Sequence, residues 1–338
     1  MSGLRERLKR INESKKAGIF NKTQNEKVNE LVKLEGWESC GFNVLKRTIN
    51  TSSPLKSIKK FSQELHIFIP DLGYRELPKK EDFLFFDLET TGLSGGAGTV
   101  AFLAAFGKLN LNGKLEITQY LLLDYSGQND FLVNVLAELN KKNAVIVSYN
   151  GKCFDSQIIK TMCLMNRIKP PEYWHVDLLH PSRRLWKSLI QDCSQANIEN
   201  KILGIERIDD IPGSLAPEIW FEFLKTGATE KLIGICEHNV YDIKGLAFIL
   251  SAIIKIAEKP FVIDKYEYDT ERLARSVYTF AYKQMIIGNY KKPLELITKA
   301  LNVLEPDTLW YDKIKRRKKI LERRISRRDT EDAEYRRV

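Results

Sequence analysis

The feature that most limits what this chain can fold into is a short apolar segment that ends in two acids. Residues 83–86 (FLFF) have the composition of a strand buried on both faces, and Asp87 and Glu89 follow directly. Side chains two residues apart on a strand point to the same face of a sheet. Two like charges there are costly unless a cation lies between them. The segment therefore predicts a strand end that holds a cation, the alternative being acids that simply reach solvent.

Further strands and helices follow this segment and predict an α/β fold. Residues 112–113 (NG) are typical of a hairpin turn between two strands. The predicted strands cover residues 83–86, 99–109, 115–123, 144–148 and 174–177, and the predicted helices 130–141, 154–166 and 229–257. Three strands joined by hairpins, then alternating helices and strands, predict a mixed five-stranded sheet flanked by helices.

Composition divides the chain into three parts. Residues 1–80 form a basic region predicted to be partly helical, residues 81–258 the α/β domain, and residues 259–338 a helical basic tail. The net charge is +8 over residues 1–80, −2 over 81–300 and +4 over 301–338. Basic flanks suit a polyanion such as nucleic acid. The alternative is that both flanks are solvated ends without a partner.

Other classes of protein are disfavoured by the same sequence. The first residues lack the apolar run of a signal peptide, and the longest apolar stretch, residues 245–257, is too short to span a bilayer. The five cysteines are scattered, odd in number and form no CxxC pair, which predicts free thiols rather than a zinc or disulfide framework. We therefore expect a cytoplasmic protein with no membrane partner.

Two later sites carry acids at positions that suit the same centre. Asp155 follows the strand at residues 144–148 and would begin a helix, where the helix dipole alone favours an acid. His238 and Asp242 are four residues apart on the last long helix and therefore share a face. Taken singly, Asp155 is explained better as an acid at a helix N-terminus, and the second site as a capping or core histidine beside an exposed acid.

Together the three sites resemble the motifs of the DEDD exonuclease superfamily, which has the ribonuclease-H-like fold. Residues 86–93 (FDLETTGL) are very similar to the first motif of that superfamily, and the order and spacing of all three fit over residues 83–250. Residues 175–186 (HVDLLHPSRRLW), 203–207 (LGIER) and 209–213 (DDIPG) resemble the bacterial YprB-type subgroup. That subgroup often has a C-terminal helical repeat, and Gly288, Tyr290, Ala300 and Pro306 resemble one tetratricopeptide-like unit.

The resemblance implies a two-metal 3′→5′ exonuclease acting on single-stranded RNA or DNA. Two Mg²⁺ or Mn²⁺ ions would be held by four carboxylates, and His238 would be the general base. The four implied metal ligands are Asp87, Glu89, Asp155 and Asp242. His238 lies four residues before Asp242, whereas the histidine-type branch uses five, and one residue turns a helical side chain by about 100°.

Nucleic-acid contacts are expected from a second group of residues near these motifs. The four residues after Glu89 would line the 3′-terminal nucleotide, although a simple strand-to-loop turn explains them equally well. Arg183 and Arg184 would bind phosphates, or else begin a solvated helix. The expected set is Thr90, Thr91, Gly92, Leu93, Asn150, Arg183 and Arg184.

Two other functions remain open at this stage. One is a ribonuclease-H-like endonuclease, which is disfavoured because the glutamate lies on the strand two residues after Asp87. The other is an inactive nucleic-acid-binding scaffold whose helical tail recruits a protein partner. The presence of all four acids argues against an inactive site. The shifted position of His238 favours the inactive scaffold.

Overall fold

The fold is a mixed sheet between two layers of helices, seen in a computed structural model that describes residues 34–73, 76–92, 98–263 and 265–335. The strands are β1 (Glu38–Gly41), β2 (Val44–Ser52), β3 (Phe83–Thr90), β4 (Ala101–Leu109), β5 (Lys114–Leu122), β6 (Val145–Ser148) and β7 (Trp174–Asp177). The helices are α1 (Leu65–Phe68), α2 (Gln128–Leu139), α3 (Asp155–Met165), α4 (Leu179–Trp186), α5 (Gln195–Lys201), α6 (Ala216–Thr226), α7 (Glu230–Glu258), α8 (Thr270–Ile286), α9 (Lys291–Leu301) and α10 (Leu309–Tyr335).

The strand order of the sheet is β1-β2-β5-β4-β3-β6-β7. The first five strands in that order pair antiparallel, while β3 pairs with β6, and β6 with β7, in parallel. The β4–β5 hairpin closes as the sequence predicts, with Gly113 at a φ of +70° and its N–H donating to the Asn110 carbonyl at 2.9 Å. This order places β3, which carries the first two acids, near the middle of the sheet.

The side chains of β3 alternate between two apolar layers. Phe83 and Phe85 pack with α7 and the C-terminal helices, while Leu84 and Phe86 pack with α2, α3 and α6. The continuous apolar run of the strand follows from this burial on both faces. By the same period of two, Asp87 continues the face covered by α7.

The sheet contains seven strands among the described residues, rather than the five predicted. β1 and β2 lie in the region that we expected to be partly helical, and β2 pairs with β5 from Val44↔Leu122 to Ser52↔Lys114. The local sequence of β2 (VLKRTINTS) has few apolar residues, so no buried strand is indicated by its pattern. The mixed α/β sheet flanked by helices is nevertheless confirmed, as are the five predicted strands.

The C-terminal region is helical, as predicted, and shares a core with the sheet. Gly288, at a φ of +76°, lies in the short turn between α8 and α9. Leu273, Leu296 and Leu321, one from each of the last three helices, belong to the same apolar cluster as Val176 of β7. None of the helices in the described ranges combines the length and the apolar character that a bilayer-spanning segment requires.

Candidate active site

The structure brings the four acids of the sequence prediction to one place at the centre of the fold. Asp87 and Glu89 lie at the end of β3, Asp155 is the first residue of α3, and Asp242 lies on α7. The charges of Asp242, Asp155 and Glu89 all act on the carboxyl of Asp87. Three separate segments of the chain therefore converge, although only the Asp87–Glu89 pair is local in sequence.

The convergence of these carboxylates makes the ionised forms of Asp87, Glu89 and Asp155 unfavourable. Burial and then the charge of Asp242 raise the pKa of both Asp87 and Glu89 well above its ordinary value. Burial also raises the pKa of Asp155, to about 7, with Asp177 and Asp242 adding to the effect. A site that accumulates negative charge in this way is stabilised by any cation that enters it.

A tight loop before α3 positions Asp155. Asn150 has a φ of +62°, and its N–H donates to Asp177 Oδ1 at 2.8 Å, while the N–H of Lys152 donates to Asp177 Oδ2 at 3.2 Å. A Cβ at Gly151 would lie 2.4 Å from Ser148 Oγ and 2.8 Å from Asp155 Oδ2. Asp177, which is 1% exposed, therefore organises the loop, and the glycine leaves room for the Asp155 carboxylate.

His238 faces the acids despite its four-residue spacing from Asp242. Its Nδ1 lies 2.7 Å from Asp210 Oδ1, and its Nε2 lies 3.3 Å from Asp242 Oδ2. Since a carboxylate can only accept, Asp210 favours the tautomer with the proton on Nδ1. One ligand atom each from Glu89, His238 and Asp242 lies within 4.8 Å of the others, so these three could also hold a cation together.

An arginine that the sequence reasoning assigned no role contacts Asp242. Arg207 pairs with both oxygens of Glu199, at 2.7 and 2.8 Å, and its Nη2 lies 2.8 Å from Asp242 Oδ1. Its Nη1 reaches Asp210 Oδ2 at 3.3 Å. We call these four residues the Arg207 network. Only the resemblance of residues 203–213 to the YprB-type subgroup marked this segment in the sequence, and nothing local shows that it turns toward α7.

A second unpredicted group holds Asp87 from the side of α7. Asn239 donates from Nδ2 to Asp87 Oδ2 at 2.7 Å, and its Oδ1 accepts from Gln119 Nε2 at 2.8 Å. Gln119 on β5 accepts in turn from Arg47 Nε on β2 at 2.6 Å. Asn239 and Gln119 are fully buried. This chain of polar contacts fixes the orientation of Asp87 and links it to three other elements.

The residues expected to bind nucleic acid take part in local contacts, so their binding role stays a prediction. Thr90 Oγ1 donates to the Gly92 carbonyl at 2.9 Å, and Thr91 Oγ1 accepts from the Val100 N–H at 2.9 Å, so both threonines form the turn that ends β3. Leu93 lies outside the described residues. Arg183 is exposed on α4. The neighbouring Arg184 donates from Nη1 to the carbonyls of Ile67 and Phe68 at 3.1 and 3.3 Å, which gives it a structural contact with α1.

The chemistry of the donor atoms at this site fits hard divalent cations. Carboxylate oxygens are the ligands that Mg²⁺ and Mn²⁺ prefer, whereas a soft-metal site would present thiolates. The raised pKa values of Asp87, Glu89 and Asp155 mark the electrostatic repulsion that such an ion relieves. Asp87, Glu89, Asp155 and Asp242 therefore form the candidate metal-binding set.

The match to known proteins covers the region that contains these acids. A family model described as the RNase_H superfamily matches residues 84–254, which is just over half of the chain. The chain belongs to the RNase_H superfamily. Membership confirms the ribonuclease-H-like fold.

A curated relative supports the same placement within the superfamily. The chain is 37% identical over 183 residues to a protein of Bacillus subtilis (strain 168) described as "Uncharacterized protein YprB". The match covers 53% of this chain and 43% of that protein, so the chain spans less than half the length of this relative. The similarity supports the superfamily, and the activity of the whole protein is a matter for the proposal below.

Proposed function

We propose that this protein is a two-metal-dependent 3′→5′ exonuclease of the DEDD type, acting on single-stranded RNA or DNA. The observation that carries the proposal is the convergence of Asp87, Glu89, Asp155 and Asp242, in which burial and the neighbouring carboxylates raise the pKa values of Asp87, Glu89 and Asp155. Membership of the RNase_H superfamily supports phosphodiester hydrolysis as the reaction. The Asp-x-Glu pair on β3 supports the exonuclease type, since in ribonuclease H itself the glutamate comes from a helix.

The four carboxylates would hold Mg²⁺ or Mn²⁺. When bound, such ions lower the pKa of a coordinated water and neutralise negative charge at the phosphate. Asp87 would contribute a ligand whose orientation is fixed by the hydrogen bond from Asn239. Arg207 of the Arg207 network contacts Asp242 and holds its carboxylate in place.

His238 would act as the general base that removes the proton from the attacking water. Asp210 holds the ring by its Nδ1, which leaves Nε2 directed toward Glu89 and Asp242. A histidine in this arrangement accepts a proton on Nε2 and becomes a cation that Asp210 and Asp242 both stabilise. The arrangement supports a base role for His238 in spite of the four-residue spacing.

The direction of attack is tested by the pattern of products from an end-labelled single strand. A 5′-labelled strand should shorten stepwise, a circular strand should resist cleavage, and a strand with a 3′-terminal phosphate should be cut more slowly. Internal cuts in the circular strand would instead identify an endonuclease. Running RNA and DNA in parallel shows which polymer is the substrate.

An inactive scaffold is the remaining alternative, in which the helical C-terminal region binds a protein partner. It would retain nucleic-acid binding but show no cleavage with either metal. The tetratricopeptide-like character of α8 and α9, and a protein partner for them, are expectations from the resemblance alone.

A further inference from the structure

The highest density of charge in the described part of the chain lies on α10. Residues 313–328 contain ten lysines and arginines and a single acid, Glu322, which is a net charge of +9. Like charges three and four residues apart on a helix repel and lower its stability. Such a concentration on a helix therefore requires a reason outside helix formation, and a polyanionic ligand supplies one.

Helical spacing arranges four of these charges into one outward row, which we call the α10 stripe. The four positions follow one another at intervals of three, four and four residues, so they lie on one face. All four side chains are exposed, whereas Ile314 and Leu321 on the opposite face are buried in the core. The α10 stripe consists of Arg316, Lys319, Arg323 and Arg327.

Several other basic residues of α10 are used in local contacts, unlike those of the stripe. Arg317 donates from Nη2 to the Tyr278 hydroxyl at 2.6 Å, Arg328 donates from Nη1 to the Gly288 carbonyl at 2.9 Å, and Lys313 Nζ lies 4.7 Å from the centroid of the Trp310 ring. Among the side chains that the structure describes, the four of the stripe have no carboxylate within ion-pair distance. The stripe is thus open to an external anion.

We propose that the α10 stripe binds the phosphates of the polynucleotide substrate outside the active site, an inference that rests on the proposed function. Arginine and lysine at one-turn intervals provide repeated phosphate contacts, and guanidinium groups bind phosphate in a bidentate manner. A membrane surface fits less well, because a helix that lies on a bilayer needs an exposed apolar face. Between residues 313 and 328 the stripe face offers only Ile320, which is 43% exposed.

The stripe has a fixed position relative to the carboxylates. α10 packs on α8 and α9, and α8 packs on α1 and α4, which follows β7. Leu321 of α10 belongs to the same core cluster as Val147 of β6, the strand that precedes Asp155. A strand that reaches both sites is therefore bound at two points of one continuously packed unit, which raises its effective affinity over a shorter strand.

The test is the salt dependence of binding, measured without cleavage. The full chain with Asp87→Asn in EDTA binds a fluorescent single-stranded oligonucleotide of about 40 nucleotides at a series of salt concentrations. The stripe variant R316Q/K319Q/R323Q/R327Q removes four charges and keeps good helix formers. The control variant removes the same charge at exposed positions elsewhere, as K59Q/K60Q/K114Q/K225Q. Circular dichroism verifies that each variant is folded.

The expected result is a change in slope confined to the stripe variant. Each phosphate contact on a single strand contributes about 0.7 to the slope of log K against log salt, so losing four makes the slope shallower by about 2.8. The control should change the slope by less than about 0.7, the value of one contact. Equal slopes for the two variants would overturn the proposal.

Two further arms separate this inference from its alternatives and from the proposed function. If the stripe variant loses binding to phosphatidylserine vesicles but keeps the oligonucleotide slope, the surface is a membrane contact and the proposal fails. Metal-dependent cleavage by the wild-type chain is measured separately. Cleavage by the wild type with an unchanged slope in the stripe variant overturns only the proposal that the stripe binds phosphates. A changed slope without any cleavage contradicts the proposed nuclease activity and leaves the stripe as a binding surface.

Discussion

At the scale of single residues, Asp155 shows how the fold keeps a carboxyl where its charge is unfavourable. Burial raises its pKa to about 7, and the N–H of Leu88 on β3 partly compensates by hydrogen bonding to it. The loop around Gly151 leaves space for this carboxyl and for no larger side chain at position 151. Without a cation, Asp155 therefore favours its protonated form in the folded protein below about pH 7.

This raised pKa predicts a pH dependence of stability for the metal-free protein. The unfolded chain ionises Asp155 near pH 4 and the folded chain near pH 7, so the unfolded state gains stability across that range. In EDTA, the free energy of unfolding should fall as pH rises from about 4 to about 7, by up to about 1.4 kcal/mol per unit. Urea unfolding at several pH values measures this, and Asp155→Asn should make the fall shallower. If the free energy of unfolding changes with pH to the same extent in wild type and in Asp155→Asn, the raised pKa does not belong to Asp155.

The Arg207 network makes a second prediction about single residues. Glu199 is 2% exposed and pairs with Arg207, so Glu199→Ala leaves a buried guanidinium with part of its charge uncompensated. We expect a loss of about 3–5 kcal/mol in the free energy of unfolding. Glu222→Ala breaks the exposed pair with Lys231 and should cost far less, because solvent screens an exposed ion pair. Chemical denaturation compares the two variants, and equal losses would show that the network contributes little.

Sequence reasoning selected four acids that the fold brings together, but not the residues that contact them. Asp87 and Glu89 belong to one short motif, so local pattern and resemblance suffice to find them. Arg207 reaches Asp242 across 35 positions and Gln119 reaches Asn239 across 120. Such contacts depend on how the elements pack, which no local pattern encodes.

At the scale of elements, α7 and β3 form the centre of the site. Glu89 and Asp87 lie on β3, and the facing side of α7 supplies His238, Asn239 and Asp242. Asn239 is the direct link between the two elements, because its side chain bonds to Asp87 on β3 and Gln119 on β5. The orientation of Asp87 therefore depends on the contact between helix and sheet.

Replacing Asn239 should weaken metal binding more than it weakens the fold. Asn239→Ala removes the donor to Asp87, and losses of this kind typically cost about 10–100-fold in metal affinity or activity. The Mg²⁺ concentration that gives half-maximal cleavage should rise by about 10-fold or more. Asn134→Ala is the matched control, because Asn134 donates only to backbone carbonyls of Cys40 and Asp130. An unchanged Mg²⁺ requirement would mean that Asn239 does not orient Asp87.

The elements themselves were predictable where apolar pattern decides their burial. β3 to β7, α2, α3 and α7 lie within a few residues of their predicted bounds, because each combines an apolar period with recognisable ends. β1 and β2 were missed, since most of β2 is polar and only half-buried or exposed. Its pairing with β5 supplies the stability that its own composition does not indicate.

At the scale of the whole molecule, the C-terminal helices and the catalytic sheet share one core. The apolar cluster that contains Val147 and Val176 of the sheet continues through Leu296 and Ile297 of α9. The expected boundary between residues 258 and 259 therefore lies within a continuous packed region. The helical region therefore packs on the sheet through buried apolar side chains as well as through surface contacts.

Because the core is shared, a destabilising substitution in α9 should also destabilise β3 and β6 near the candidate active site. Leu296 is fully buried, and Leu296→Ala should cost about 2–5 kcal/mol. Ile286→Ala, at a position 69% exposed, is the control and should cost little. Hydrogen exchange followed by mass spectrometry should show faster global opening of peptides from β3 and β6 as well as from α9. Faster exchange restricted to the C-terminal helices would show that the two regions unfold independently.

The most direct test of the account is metal-dependent cleavage of single-stranded RNA and DNA by wild type and Asp87→Asn. Asparagine keeps the shape of Asp87 and removes its charge, and Asp312→Asn on exposed α10 controls for the loss of an acid elsewhere. We predict cleavage with Mg²⁺ or Mn²⁺, none in EDTA, and a loss of several orders of magnitude in Asp87→Asn only. Cleavage that persists in EDTA, or equally in Asp87→Asn, would contradict the metal-dependent carboxylate site.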